Sequence, residues 1–250
     1  MINKHAIDRD SEDRDLARDS ISVVIPSYNE KDNIKEAIER TSKSLGDNLL
    51  EIIVVDDDSP DKTWKIVQDM KNPKYKLIIR SKERGLASAI ATGVEKAKGN
   101  IIVWLDCDLG IQPEDIPRLV EKLRYYDVAI GSRYVKGGKE LRPKWRALLS
   151  YIINLFASIM LGFSVRDWTS GFIAVRKEVL NKIKLSRDGF GEYFIEFAYK
   201  CIKNGYKVTE VGYVYGIRKG GVSKSDGNIF TLLKYGAQYG LKIIKLRFGA

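Results

Sequence analysis

Ile21-Ser22-Val23-Val24-Ile25-Pro26-Ser27-Tyr28-Asn29-Glu30 begins as a mainly apolar, β-branched run and turns polar at the proline. Such a run, stopped by Pro and Asn, reads as a buried strand ending where a loop begins. The pattern recurs downstream. Glu51–Val55 (EIIVV) ends in Asp56-Asp57-Asp58-Ser59-Pro60, Leu77–Ile79 is a shorter run, and Ile101–Leu105 (IIVWL) ends in Asp106-Cys107-Asp108. Helical segments fall between them. One starts near Lys31 with Ile34, Ala37 and Ile38 on its apolar face, a second passes through Trp64, Ile66 and Val67, and a third covers Ala87–Ala97. Asp127–Ile130 is a further strand. Strand, turn and helix in alternation predict an α/β fold, a mostly parallel central sheet flanked by helices. Ligands of such sheets bind outside the carboxyl ends of the strands. SYNE, DDDSP and DCD therefore converge on one edge.

Composition narrows the chemistry. The 250 residues carry a net charge of +10, unevenly spread. Residues 1–20 hold four basic and six acidic side chains, which leaves the rest of the chain at +12. Residues 201–250 hold nine Lys or Arg against Glu210 and Asp226. A surplus of this kind calls for an anionic partner: a phosphorylated substrate, an acidic membrane or nucleic acid. Acidic clusters at three strand ends would repel a phosphate backbone, so nucleic acid is not expected. The two cysteines, Cys107 and Cys201, lack metal-type spacing, and the only histidine, His5, lies in the charged tail. A histidine base, a zinc site and a disulfide framework are not expected. No apolar leader is visible, and the expected location is cytoplasmic.

The expected organisation is a charged flexible tail over 1–20, one domain over 21–228 and a basic amphipathic helix over 229–250. Ala147–Val165 is a run of 19 uncharged residues. That approaches a membrane span, but Leu148, Leu149, Ile152, Ile153, Phe156, Ile159, Met160 and Phe163 share one helical face opposite Ser150, Asn154 and Ser158. The expectation is an amphipathic helix lying on the core or on a membrane surface. Ile229–Phe248, with Lys234, Lys242, Lys245 and Arg247, suits either a headgroup region or a solvated face.

Asp106-Cys107-Asp108 is the central constellation. Carboxylates two positions apart at a strand end can hold a hard divalent cation, Mg²⁺ or Mn²⁺, with positions left for a diphosphate. Tyr28 offers a flat aromatic face, Asp57 can accept hydrogen bonds, and Cys107 is expected to pack. Arginine suits phosphate through its planar fork.

VVIPSYNE (23–30), VVDDDSPD (54–61) and DCDL (106–109) together resemble the family-2 glycosyltransferases, which implies a GT-A-type fold. GSRYVKGG (131–138), DWTSGF (167–172) and VGYVYGIRKGGVSK (211–224) resemble the dolichyl- or polyprenyl-phosphate mannose synthase branch. That resemblance implies roles. Pro26, Tyr28, Glu30, Val55 and Asp57, with Asp106, Cys107 and Asp108, would bind the nucleotide-sugar. Asp106 and Asp108 would meet metal and diphosphate. Arg133, Arg146, Ser150, Arg218 and Lys224 would hold an acceptor phosphate, with Arg133 and Arg218 among the catalytic groups. Asp167, Ser170 and Gly171 would shape the region near the donor sugar. The chain departs from the family at Gly110, where a Gln that contributes to the metal site is usual. Water replaces that ligand, Gln112 reaches in, or the donor and metal preferences differ.

The activity implied is inverting transfer of a hexosyl group, mannose from GDP-mannose foremost, to a polyprenyl phosphate at the cytoplasmic membrane face. Association would be peripheral or through a membrane-protein partner. The rival is transfer from a UDP-sugar to a glycan hydroxyl, with Asp167, Glu192 or Glu196 as base. The segment 216–227, glycine-rich around Arg218, Lys219 and Lys224, suits a closing loop.

Overall fold

Every residue of β1 (Ile21–Ser27) is buried, which explains its lack of alternation: it is the middle of a sheet covered on both faces. The computed structural model describes residues 19–216 and 229–249, with side chains of the last helix described from Lys234. All but two residues of the expected charged tail, and the expected closing loop beyond Gly216, lie outside the described residues. The strands β2 (Leu49–Asp56), β3 (Tyr75–Ile79) and β4 (Ile101–Trp104) run parallel to β1. On the far side of β4 come β7 (Ile173–Arg176), antiparallel to its neighbours, then β5 (Val128–Ser132) and β8 (Val208–Gly212). The order is β3-β2-β1-β4-β7-β5-β8. β6 (Lys139–Glu140) and β9 (Val214–Tyr215) form a separate two-stranded parallel ribbon. The predicted mostly parallel sheet is what forms, with β7 as the reversed strand.

Alternate residues of the strands feed two cores. Val23, Ile25, Ile52, Val54 and Val103 meet Ile34, Ala37 and Ile38 of α1 (Ile34–Leu45) and Ile116 and Leu119 of α4 (Ile116–Lys122). Val24, Ile53, Val55 and Trp104 meet α3 (Leu86–Lys96) and α7 (Glu192–Lys203) on the other face. α2 (Thr63–Asp69) and α6 (Lys177–Lys182) complete the crossovers. At Gly93 of α3 an added Cβ would stand 2.4 Å from Val24 Cγ1, so only glycine lets this helix sit so close to β1.

α5 (Lys144–Leu161) runs the other way round from a core helix. Asn154 and Ser158 are buried, while Leu148, Ile152 and Ile159 are 59%, 52% and 62% exposed. Phe156 and Met160, at its flank, pack partly on the core. Asn154 Nδ2 donates to Ser150 O (2.8 Å) and Thr169 Oγ1 (2.9 Å), and Trp168 Nε1 donates to Ser158 Oγ (3.2 Å). The polar line thus seats the 167–172 segment, and the apolar face points away from the core. α8 (Ile229–Phe248) packs beside α5 with Ile243 inward and Leu241, Ile244 and Phe248 exposed. Among the described residues no helix is long and apolar enough to cross a membrane.

Candidate active site

The carboxyl ends of β1, β2 and β4 bring the three polar clusters together, as the alternation predicts. β1 ends on Ser27, whose hydroxyl donates to Asp56 Oδ2 (2.7 Å); Ser59 donates to Asp56 through both N–H (2.8 Å) and hydroxyl (2.7 Å). Asp56 is fully buried and satisfied, so it is a hinge pin of the site. Asn29, at φ 55°, turns the chain, and its N–H donates to Ser59 Oγ (3.0 Å). Tyr28 is left half-exposed beside it, with the Arg84 guanidinium 5.4 Å from its ring centre. Glu30 is buried, accepts from Asn33 Nδ2 (2.8 Å) and has its N–H on Thr63 Oγ1 (2.9 Å).

Pro26 pairs with Val55 in the sheet register, and both are buried. The Val55 side chain faces Gly93 in the core, so only its backbone can meet a nucleotide. Asp57 is also more committed than its spacing suggests. Oδ1 takes the Arg80 guanidinium, through Nε (2.8 Å) and Nη2, and Oδ2 takes the Gly85 N–H (2.8 Å). Asp57 therefore fixes the 80–85 loop that carries Arg84. Arg80 escapes a motif reading, although a charge set directly at the end of the strand LII is a signal.

Asp106 and Asp108 are half-buried at the end of β4 and flank the buried Cys107. Asp108 Oδ1 accepts the Gly110 N–H (2.9 Å), and Leu109 between them takes φ 60°. No group of three His, Cys, Asp or Glu able to hold a metal occurs among the described residues. Two oxygen donors with solvent and substrate positions left over still suit Mg²⁺ or Mn²⁺, which keep several waters. Gln112 is turned to other work. Its carbonyl oxygen accepts from Arg40 Nη2 (2.5 Å) and its Nε2 donates to Leu109 O (2.8 Å), so reaching a metal means leaving both. Tyr215 lies against Gly110, and its phenol is pushed well above the ordinary tyrosine value by burial and by Asp108 and Asp106, against Arg142 and Arg133.

Arg133, for which the motif implies a phosphate-binding role, is engaged within the protein. Its side chain makes four hydrogen bonds inside the protein: Nε and Nη2 to Asp167 (2.8 and 2.6 Å), Nη1 to Glu140 (3.0 Å) and Nη2 to Thr169 (2.9 Å). Asp167 is fully buried, and Arg133 nearly so. The guanidinium is neutralised by carboxylates, which favours a clasp between β5 and the 167–172 segment over a free phosphate ligand. Arg142, which no motif marks, grips the other side of Glu140 through Nε and Nη2 (both 2.7 Å) and stacks 4.6 Å over Tyr215. Ser170 and Gly171 lie at the end of the same segment, with Ser170 buried.

Arg146 and Ser150 stand one turn apart on α5, on one face by their spacing. Ser150 Oγ accepts the Tyr134 hydroxyl (3.1 Å). Arg218 and Lys224 lie outside the described residues. Glu192 caps its own helix, accepting the Phe190 and Gly191 N–H groups (3.0 Å each). Glu196 accepts from Lys200 (2.5 Å) and Lys242 (2.6 Å). Burial pushes the Cys201 thiol up to about 12, which leaves it unreactive.

Acidic residues gathered at the ends of parallel strands, on a sheet with one reversed strand, define a GT-A-type fold. The chain belongs to glycosyl transferase family 2, whose family model matches residues 22–184. It is 44% identical over 223 residues to a dolichol-phosphate mannosyltransferase of Pyrococcus furiosus, covering 86% of this chain and 62% of that relative's length. It is 35% identical over 231 residues to a polyprenol monophosphomannose synthase of Mycolicibacterium smegmatis, covering 88% of this chain and 86% of the relative. Among solved structures, glucosyl-3-phosphoglycerate synthase from Mycobacterium tuberculosis, in complex with Mn²⁺, UDP and phosphoglyceric acid, superposes with a TM-score of 0.71 at 18% identity. That match covers 92% of this chain and 79% of the other.

Proposed function

We propose that this chain transfers a mannosyl group from GDP-mannose to a polyprenyl phosphate, with inversion, at the cytoplasmic face of a membrane. The observation that carries this reading is the orientation of α5. Arg146 and Ser150 sit in its first half on the polar line, and the opposite, outward face is apolar through Leu148, Ile152 and Ile159. A helix whose polar line offers Arg146 and Ser150 to a phosphate while its other face is apolar and exposed suits a lipid phosphate at a membrane surface, and exposed Lys245 and Arg247 on α8 suit an anionic surface. The names of the relatives support the same acceptor class.

Asp106 and Asp108 would hold the Mg²⁺ or Mn²⁺, which when bound offsets the charge growing on the departing diphosphate. Tyr28 offers a stacking face for the base, and the Asp57–Arg80 pair holds the loop beside it. An oxygen of the acceptor phosphate forms the new bond to the anomeric carbon as the bond to the nucleoside diphosphate breaks. That oxygen is already ionised near pH 7, so no proton has to be removed. The three carboxylates that could serve a hydroxyl acceptor as base are each engaged: Asp167 by Arg133, Glu192 by its helix start, Glu196 by two lysines. Arg218 and Lys224 are proposed to add charge at the acceptor phosphate.

Labelled sugar transfer from GDP-mannose, UDP-glucose and UDP-N-acetylglucosamine to polyprenyl phosphate, with and without Mn²⁺, tests the reading. A metal-dependent, butanol-extractable product from GDP-mannose, lost in Asp108→Ala, is expected. Donor hydrolysis with no lipid product would overturn the lipid acceptor and return the glycan hydroxyl with a UDP-sugar.

A further inference from the structure

Position 110 and Tyr215 compete for one small space. A Cβ built on Gly110 would stand 3.1 Å from Asp108 Oδ1, 3.1 Å from Tyr215 Cζ and 3.3 Å from the Tyr215 hydroxyl oxygen. A carboxylate oxygen and a phenol oxygen therefore border the same space, which is too tight for a methyl group unless one of them gives way. Nothing about this tyrosine is loose. β9 pairs Tyr215 with Glu140, the Leu141 N–H donates to Tyr215 O (3.0 Å), and the Gly216 N–H donates to Gly110 O (2.7 Å). Arg142, gripped by Glu140, closes one side of the ring at 4.6 Å, and the Tyr213 ring meets it edge-on at 6.2 Å.

We propose that Tyr215 is a positioning residue of the metal site: its hydroxyl orients Asp108 and holds a water of the cation's shell, where a side chain at 110 would otherwise reach. The inference rests on the reading of Asp106 and Asp108 as metal-facing. A neutral phenol is a weak ligand for a hard cation, whereas water on Mg²⁺ or Mn²⁺ is a strong hydrogen-bond donor and is given up reluctantly. The groups that orient a metal's ligands matter about 10–100-fold in affinity. Glycine at 110 is the condition for this arrangement, because a larger residue would push on the ring and the carboxylate together. Gln112, held by Arg40, leaves the place to Tyr215.

Mn²⁺ binding to the full chain without nucleotide, followed by the paramagnetic resonance signal of free Mn²⁺, tests this apart from turnover. Tyr215→Phe keeps the ring and is expected to weaken Mn²⁺ about tenfold with an unchanged thermal midpoint. Gly110→Ala is expected to weaken it too, and the two changes together to fall short of the product of their effects, since both act on one gap. If Tyr215→Phe proves unstable, Gly110→Ala alone decides, and unaltered Mn²⁺ affinity in it overturns the proposal. Wild-type affinity in a stable Tyr215→Phe, or effects that multiply as independent, would also overturn it while leaving the metal reading intact. Absence of Mn²⁺ binding in the unaltered chain, matching Asp108→Ala, would sink both.

Discussion

α1 and α5 carry apolar residues at the same helical spacing and present them in opposite directions. In α1, Ile34, Ala37 and Ile38 are buried against β-strand side chains, while Glu36, Glu39 and Arg40 face out. In α5 the buried positions are Asn154, Ala157 and Ser158, and Leu148, Leu149, Ile152, Leu155 and Ile159 lie outside. The cause is what lies opposite each helix. α1 covers a strand pair whose polar backbone groups are satisfied within the sheet. α5 covers the irregular 167–172 segment, which must find hydrogen-bond partners when buried, and Asn154 and Ser158 supply them. A helix turns its polar line inward when the floor beneath it is polar.

The largest expected effect puts one change into both helices. Ile38→Asp places a charge in a closed apolar core and is expected to abolish the cooperative thermal transition. Ile152→Asp is expected to move the thermal midpoint by less than about 2 °C. The same α5 variant is expected to lose most of its cosedimentation with anionic vesicles containing polyprenyl phosphate. Equal midpoint shifts in the two variants would end the comparison, and undiminished vesicle binding would end the membrane reading of α5.

How far the sequence carried this depends on whether a contact is local. β1, β2 and β4, the turns that end them and the inward face of α1 were legible, because each is written in adjacent residues and a strand's closing loop must lie at the sheet edge. Asp106 and Asp108 were legible for that reason. The orientation of α5 was not: Ile152 and Asn154 have the same local pattern whichever way the helix faces, and the deciding partner, Thr169, belongs to another segment. The partners of Arg133 were hidden in the same way, since a motif arginine looks alike in sequence whether or not it clasps a buried Asp167 34 positions away. Arg142 and Tyr215 come together only when β6 pairs with β9.

A smaller effect tests the floor beneath α5. Asp167→Ala leaves the Arg133 guanidinium buried with Glu140 as its remaining carboxylate, and is expected to cost about 3–5 kcal/mol by urea unfolding. An exposed pair is the control. Removing Glu95, which meets Arg187 on the surface at 3.0 Å, is expected to cost less than about 1 kcal/mol. Similar losses in the two variants would mean that the clasp is no more than a surface pair, and that α5 owes its polar line to something else.

The smallest effect is the acid limb of that clasp. Burial alone would raise the Glu140 carboxyl, but Arg142 and Arg133 outweigh it and hold the group below its ordinary value. A folded-state value beneath the unfolded one means that the stabilisation is fully present above about 4.3, the unfolded value of a glutamate. It is lost as pH falls through the lower folded value. Glu140→Gln keeps the shape and removes the titration. Its urea midpoint should sit below that of the unaltered chain at pH 7, and the difference should shrink as the pH is taken down from about 4 towards 3. Glu39, on the outer face of α1, 4.0 Å from Lys35 with both side chains exposed, provides the contrast, and Glu39→Gln should leave the pH profile nearly unchanged. If the Glu140→Gln difference persists undiminished at pH 3, the carboxylate acts through packing rather than charge. The polar floor under α5 would then be held by shape and neutral hydrogen bonds, with the arginines as bystanders.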